Sequence, residues 1–174
     1  MRLFIAINFS DNTKNRLLTL QDELRRNSTR GNFTLPDNLH LTLVFLGECN
    51  VEQTVIATAV MESVAFEPFD LQIERLGCFG RGENGIWWVG LKISKELITL
   101  QSVLSDKLIS EGFLLEKRRY SPHITLGRQV VTQIIPHPVE PFGETISSIE
   151  LMKSERVRGK LTYTVIYVKR GKGQ

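Results

Sequence analysis

One short phrase is written twice in this chain, and it constrains the fold more than any other feature. "NLHLTLVFLG" runs from Asn38 to Gly47, and "SPHITLGR" runs from Ser121 to Arg128. Each contains a histidine, an apolar residue, a threonine and a leucine, in that order. His40 and His123 stand 83 positions apart in 174 residues, close to half the length. In an extended strand, residues i and i+2 project to the same face. His40 and Thr42 therefore share one face, with Leu41 and Leu43 on the other. His123 and Thr125 stand in the same relation to Ile124 and Leu126. Each phrase reads as a strand with an apolar face for a core and an imidazole plus a hydroxyl opposite.

The segments around the phrases repeat as well. Arg2 to Phe9 is an apolar run of strand length. Ser10 or Asp11 caps a helix whose stripe is Leu17, Leu20 and Leu24 and which ends near residues 27–31. Pro36 breaks structure, and Leu39 to Leu46 forms the first histidine strand. Asn50 starts a second helix, with Gln53 placed for a capping box and Ile56, Ala59, Val60 and Val64 on its apolar face. Phe69 to Leu76 and Ile86 to Ile93 are strands joined by a glycine-rich loop. Ser94 caps a third helix with Leu97, Leu100, Leu104 and Leu108 on its buried face, and Gly112 stops it. The second histidine strand spans His123 to Arg128. A proline-rich loop at residues 136–141 carries an exposed His137, and strands follow at Ile146 to Lys153 and Leu161 to Lys169. Strand, helix and histidine strand thus occur twice. The expectation is a duplicated α+β domain spanning residues 1–174, pseudo-twofold, with two antiparallel sheets facing a central cleft and helices packed outside.

Composition narrows the setting. Apolar residues make up 41% and charged residues 24%, as in ordinary globular domains. No apolar run approaches the roughly 20 residues of a membrane-spanning helix. The apolar part of the N-terminal segment is too short for a signal peptide. Cys49 and Cys78 form no paired motif and read as free thiols of a cytoplasmic protein. The net charge of +3 permits an anionic ligand without requiring one. Arg25–Arg26, Lys117–Arg119 and Lys169–Arg170 read mainly as solvated surface; Arg81 and residues 117–120 are candidates for the cleft rim.

Two imidazoles near neutral pH can divide the work of acid and base, because an unperturbed histidine titrates near pH 6.5. Two threonine hydroxyls can donate to the non-bridging oxygens of a phosphate. The matching substrate is a phosphodiester cleaved in line, with no cofactor and no covalent intermediate. A zinc site would need a third ligand. His137 is the only other histidine, and no carboxylate stands at a familiar spacing, so no metal is expected.

These phrases, His40 to Leu43 and His123 to Leu126, resemble the repeated H-x-[ST]-x signature of the two-histidine phosphoesterase superfamily. Within it, the chain resembles the RNA 2′,3′-cyclic phosphodiesterases of bacteria and archaea, also called 2′-5′ RNA ligases. The stretches that carry the likeness are "RLFIAINF", "LPDNLHLTLVFLGE", "LGCFGRGENGIWWVGL", "RRYSPHITLGR" and "LMKSERVRGKLTYTVIY", in order along nearly the whole chain. The resemblance implies a bilobal fold with its active cleft between the lobes. It implies hydrolysis of RNA 2′,3′-cyclic phosphate ends, or of small cyclic nucleotides, to 2′-phosphomonoesters. It assigns His40 as general acid and His123 as general base, with Thr42, Thr125 and Arg128 on the phosphate. It makes Phe45 a stacking platform for the terminal nucleobase. Phe45 and Arg128 each lie five residues after a histidine, where strict alternation puts a side chain on the core face. Phe45 reaches the cleft only through a bulge or twist, and Arg128 only from the strand's end. Of the adjacent Trp87 and Trp88, one is expected inside and one outside, with Trp87 in the core. Two departures from the family pattern, "FGRG" without a following proline and Gly127 in place of alanine, do not touch the chemistry. Two internal lobes complete the site, so a monomer is expected. A binding module for RNA ends, and joining of 2′ ends by reversal, remain as alternative functions.

Overall fold

The computed structural model describes residues 1–80 and 82–174; the expectation for Arg81 lies outside the described residues. Its strands are β1 (Arg2–Asn8), β2 (Ser28–Phe33), β3 (His40–Glu48), β4 (Phe69–Phe79), β5 (Ile86–Leu91), β6 (His123–Thr132), β7 (His137–Ile146), β8 (Ser148–Val157) and β9 (Lys160–Arg170). Its α-helices are α1 (Asp11–Arg26), α2 (Val51–Ser63) and α3 (Lys95–Ser110).

The strands form two antiparallel sheets, ordered β3-β1-β8-β9 and β2-β6-β5-β4-β7. Each histidine strand pairs with the strand that opens its half of the chain, β3 with β1 and β6 with β5. The halves then exchange strands. β4 follows the first half yet lies beside β5, and β8 follows the second half yet lies beside β1. This exchange lets one core join both sheets: Ile5, Leu41 and Leu151 of the first belong to the same cluster as Val89, Ile124 and Leu126 of the second. Each fully buried leucine contributes about 1.5–3 kcal/mol to that core. α1 packs on β2, β6 and β7, whereas α3 packs on β3 and α2 on β9, so helices cover the outer side of each sheet. β3 and β6 adjoin where the two sheets meet.

Local sequence sets the helix boundaries. The capping box at Asn50 forms in both directions, Gln53 N–H to the Asn50 side chain at 2.8 Å and Asn50 N–H to the Gln53 side chain at 3.0 Å. α3 begins at a Ser94 cap and ends where Gly112 adopts φ +91. Phe113 N–H then reaches the Leu108 carbonyl and Gly112 N–H the Ile109 carbonyl, both at 3.0 Å, which satisfies carbonyls left open at the helix end.

Four expectations change. Residues 28–33 form β2, a polar strand on the edge beside β6, where a helix end was expected. The proline-rich loop is β7, and His137 opens it half-buried, opposite Leu76, so it is not an exposed loop residue. Pro138 and Pro141 fit because β7 is an edge strand, where a missing N–H need not break a ladder. The buried face of α2 is Ala57, Val60 and Met61, and Ala59 is exposed. The strand opened by Ile86 stops at Leu91, and Ile93 is solvent-facing.

Candidate active site

His40 and His123 open β3 and β6, and both histidines are anchored in the same way. His40 Nδ1 lies 2.7 Å from the carbonyl of Asn38, and His123 Nδ1 lies 2.8 Å from the carbonyl of Ser121. A carbonyl only accepts, so Nδ1 carries the proton on each ring. Nε2 is left on each ring as the nitrogen that exchanges a proton. Asn38 is itself held, its buried side-chain amide donating to the Leu161 carbonyl at 2.9 Å. That bond draws the start of β9 over the first motif, and Tyr163 there meets the His40 ring edge-on at 5.2 Å. Phe4 completes a three-ring cluster with them, 4.9 Å from the His40 ring and 4.9 Å from the Tyr163 ring. His123 has its own aromatic pair, Phe79 edge-on at 5.2 Å and Trp88 at 6.3 Å.

The threonines share the histidine faces, with Leu41, Leu43, Ile124 and Leu126 buried opposite. Thr42 Oγ1 is 2.8 Å from His40 Nε2, so it donates to the neutral ring. Tyr120, shortly before His123 in sequence, ties the two motifs together. Its hydroxyl donates to the Thr42 carbonyl at 2.9 Å, and burial pushes its phenol well above the ordinary range. Of the stretch expected at the rim, Tyr120 thus turns inward, while Lys117 and Arg119 are exposed and Arg118 pairs with Glu116 at 2.7 Å.

Both phrases break the strict alternation at the same letter. β1 pairs Ala6 with Thr42 and Ile5 with Val44, so Leu43 is an extra residue. β5 pairs Trp88 with Thr125 and Trp87 with Gly127, so Leu126 is the extra residue there. Such bulges shift the side-chain parity by one. Val44 and Gly127 fall on the core side, and Phe45 and Arg128 turn outward. Phe45 is 45% exposed and stands opposite Phe4, whose ring contacts His40. Arg2 lies over its ring at 5.0 Å. Arg128 thus leaves the core face partway along β6, before that strand ends at Thr132. The bulge at Leu126 has a dedicated support: Gln21 of α1, 2% exposed, donates to the Leu126 carbonyl at 2.9 Å and to the Thr34 carbonyl at 2.8 Å.

Burial pushes the His40 imidazole below its ordinary value of 6.5. The Asn38 carbonyl works against that shift, while the charges of His123, Lys14 and Arg128 add to it. The same Arg128 charge acts on Tyr163 across the cleft. Trp87 lies in the core and Trp88 on the cleft face. Neither a depression beside Asp70 and Phe142 nor one between α3 and residues 64–69 borders a motif histidine.

A family model described as "2'-5' RNA ligase superfamily" matches residues 9–157. The chain belongs to that superfamily. The RNA 2′,3′-cyclic phosphodiesterase of Archaeoglobus fulgidus is 32% identical over 152 residues, covering 83% of this chain and 85% of its own. That of Escherichia coli K12 is 30% identical over 130 residues, covering 74% and 73%. Among solved structures, TT0787 of Thermus thermophilus superposes with a TM-score of 0.87 at 22% identity, covering 99% of this chain and 100% of that one. Escherichia coli LigT complexed with NADP+ superposes with a TM-score of 0.82 at 25% identity, covering 98% and 96%.

Around the paired motifs, sequence reasoning missed Asn38, Tyr163, Phe79, Gln21 and Lys14, and it placed Tyr120 at the rim, not in the tie between the motifs. Only Gln21 left a trace: it is the polar residue inside the stripe of Leu17 and Leu24, at helical spacing from both.

Proposed function

We propose that this chain hydrolyses 2′,3′-cyclic phosphate ends of RNA to 2′-phosphomonoesters, with His40 as general acid and His123 as general base. The observation that carries the reading is the pair of His-x-Thr strands, each with Nδ1 fixed on a carbonyl and Nε2 left to exchange a proton. His123 Nε2 takes a proton from water as the water oxygen bonds to phosphorus. The bond from phosphorus to O3′ breaks, its electron pair stays on O3′, and His40 Nε2 supplies the proton. The products are a 2′-phosphate and a free 3′ hydroxyl. Thr42, Thr125 and Arg128 hold the non-bridging oxygens, the Thr42 hydroxyl turning from the His40 ring to the phosphate once Nε2 carries its proton. Phe45 stacks on the terminal base.

The shift at His40 fits this sequence of events. In the free protein, burial and neighbouring cations disfavour its imidazolium. An anionic phosphodiester among those cations reverses their effect, so His40 gains its proton as substrate binds. The curated relatives named for this activity support the reading, as does a relative complexed with NADP+, whose ribose 2′-phosphate is the group the product would present. One chain carries both histidines, and the working unit is a monomer.

Hydrolysis in water enriched in heavy oxygen tests the route. One labelled oxygen in the 2′-phosphate is expected. Tight binding of the cyclic end without conversion would instead make the chain a receptor for RNA ends.

A further inference from the structure

The cleft face of the second sheet carries a flat strip that the catalytic roles do not use. Trp88 lies over Gly77, where a Cβ would come within 2.3 Å of the indole. Arg75 lies over Gly90, where a Cβ would come within 2.6 Å of the guanidinium. The two glycines are cross-strand partners of the residues that cover them, Gly77 with Trp88 and Gly90 with Arg75. Side chains at either position would lift the strip off the sheet. The Arg75 guanidinium stands 5.7 Å from the Trp88 ring, and Phe79 tilts against Trp88 at 4.9 Å. Phe79 is 38% exposed and meets His123 edge-on. Arg75 keeps one nitrogen on the Leu91 carbonyl at 3.1 Å and pairs with Glu74 at 3.5 Å, contacts that hold it flat.

The strip therefore starts beside His123 and runs away from it, while Phe45 stands on the other sheet beside the His40 motif. A single nucleobase can stack on one of these platforms and not on both. Resting on the proposed function, we infer that the strip of Phe79, Trp88 and Arg75 is a second subsite, taking the penultimate nucleotide of an RNA strand while Phe45 takes the terminal one. Stacking supplies sequence-tolerant affinity, and the Arg75 guanidinium over the Trp88 ring adds a cation beside the stacked nucleotide. The preferred substrate is then an oligonucleotide of two or more residues, not a cyclic mononucleotide.

The test compares adenosine 2′,3′-cyclic phosphate with the dinucleotide bearing the same end. Binding is read by tryptophan fluorescence and turnover by kcat/KM. The dinucleotide is expected to be favoured roughly tenfold in both, the order expected of one stacked base. Phe79→Leu, which keeps apolar packing beside His123, and Arg75→Gln should each move the ratio of the two substrates toward unity. A ratio near unity in the native protein, or one unmoved in both variants, would overturn the inference. Length preference in binding without turnover would support the strip and count against the hydrolase reading; turnover without length preference would do the reverse.

Discussion

Phe45 and Arg128 occupy the same step of two copies of one strand. Each is the fifth residue after its histidine, and each is turned from the core by a bulge at the leucine that closes the repeated phrase. The repeat is thus longer in space than in letters. Its second half places an aromatic ring on one side of the cleft and a cation on the other. Truncating Phe45 to alanine removes a stacking surface worth about 1–3 kcal/mol. KM should rise several-fold to a hundredfold with a smaller change in kcat, and Phe45→Trp should restore binding. Steady-state kinetics on a cyclic-phosphate dinucleotide reads both.

Gln21 holds the bulge that aims Arg128. Gln21→Leu leaves the buried Leu126 carbonyl with only the Thr34 N–H and strips the same donor from the part-buried Thr34 carbonyl, a loss of about 1–3 kcal/mol. A lowered melting temperature is expected, with weaker phosphate binding from a displaced Arg128. Arg128→Gln should weaken phosphate binding without the melting change, which separates support from contact.

How much of this was legible beforehand follows from how local each cause is. The histidine faces, the caps at Asn50 and Ser94 and the stripe of α3 depend on neighbours within a few residues, and the sequence carries them. β2 and β7 escape because both are polar edge strands, whose pairing is decided by β6 and β4 far along the chain. Periodicity in "STRGNF" or "HPVEPFGETI" is too weak to announce a strand. The bulges escape for a related reason: an extra residue is visible only against its partner strand. That is why alternation sends Phe45 to the core when the fold turns it out.

The His40 proton should titrate with a midpoint below 6.5, because burial and the cations near it favour the neutral ring. Removing one of those charges favours the imidazolium, so Lys14→Gln should raise the midpoint. Added inorganic phosphate should raise it as well. Histidine ring signals followed by NMR against pH measure all three.

His40→Ala and His123→Ala should each lower kcat by at least about a hundredfold, the lower bound for losing a positioned acid or base. Circular dichroism should show the fold retained, since both rings stand on the cleft face and outside the main core.

The central claim is that the repeated phrase supplies an acid and a base for one cyclic phosphate. The direct measurement is product analysis after incubation of the protein with an oligonucleotide ending in a 2′,3′-cyclic phosphate, in excess EDTA. The expected result is complete conversion to the 2′-phosphate with a free 3′ hydroxyl. A 3′-phosphate product would contradict it, as would turnover that stops on chelation.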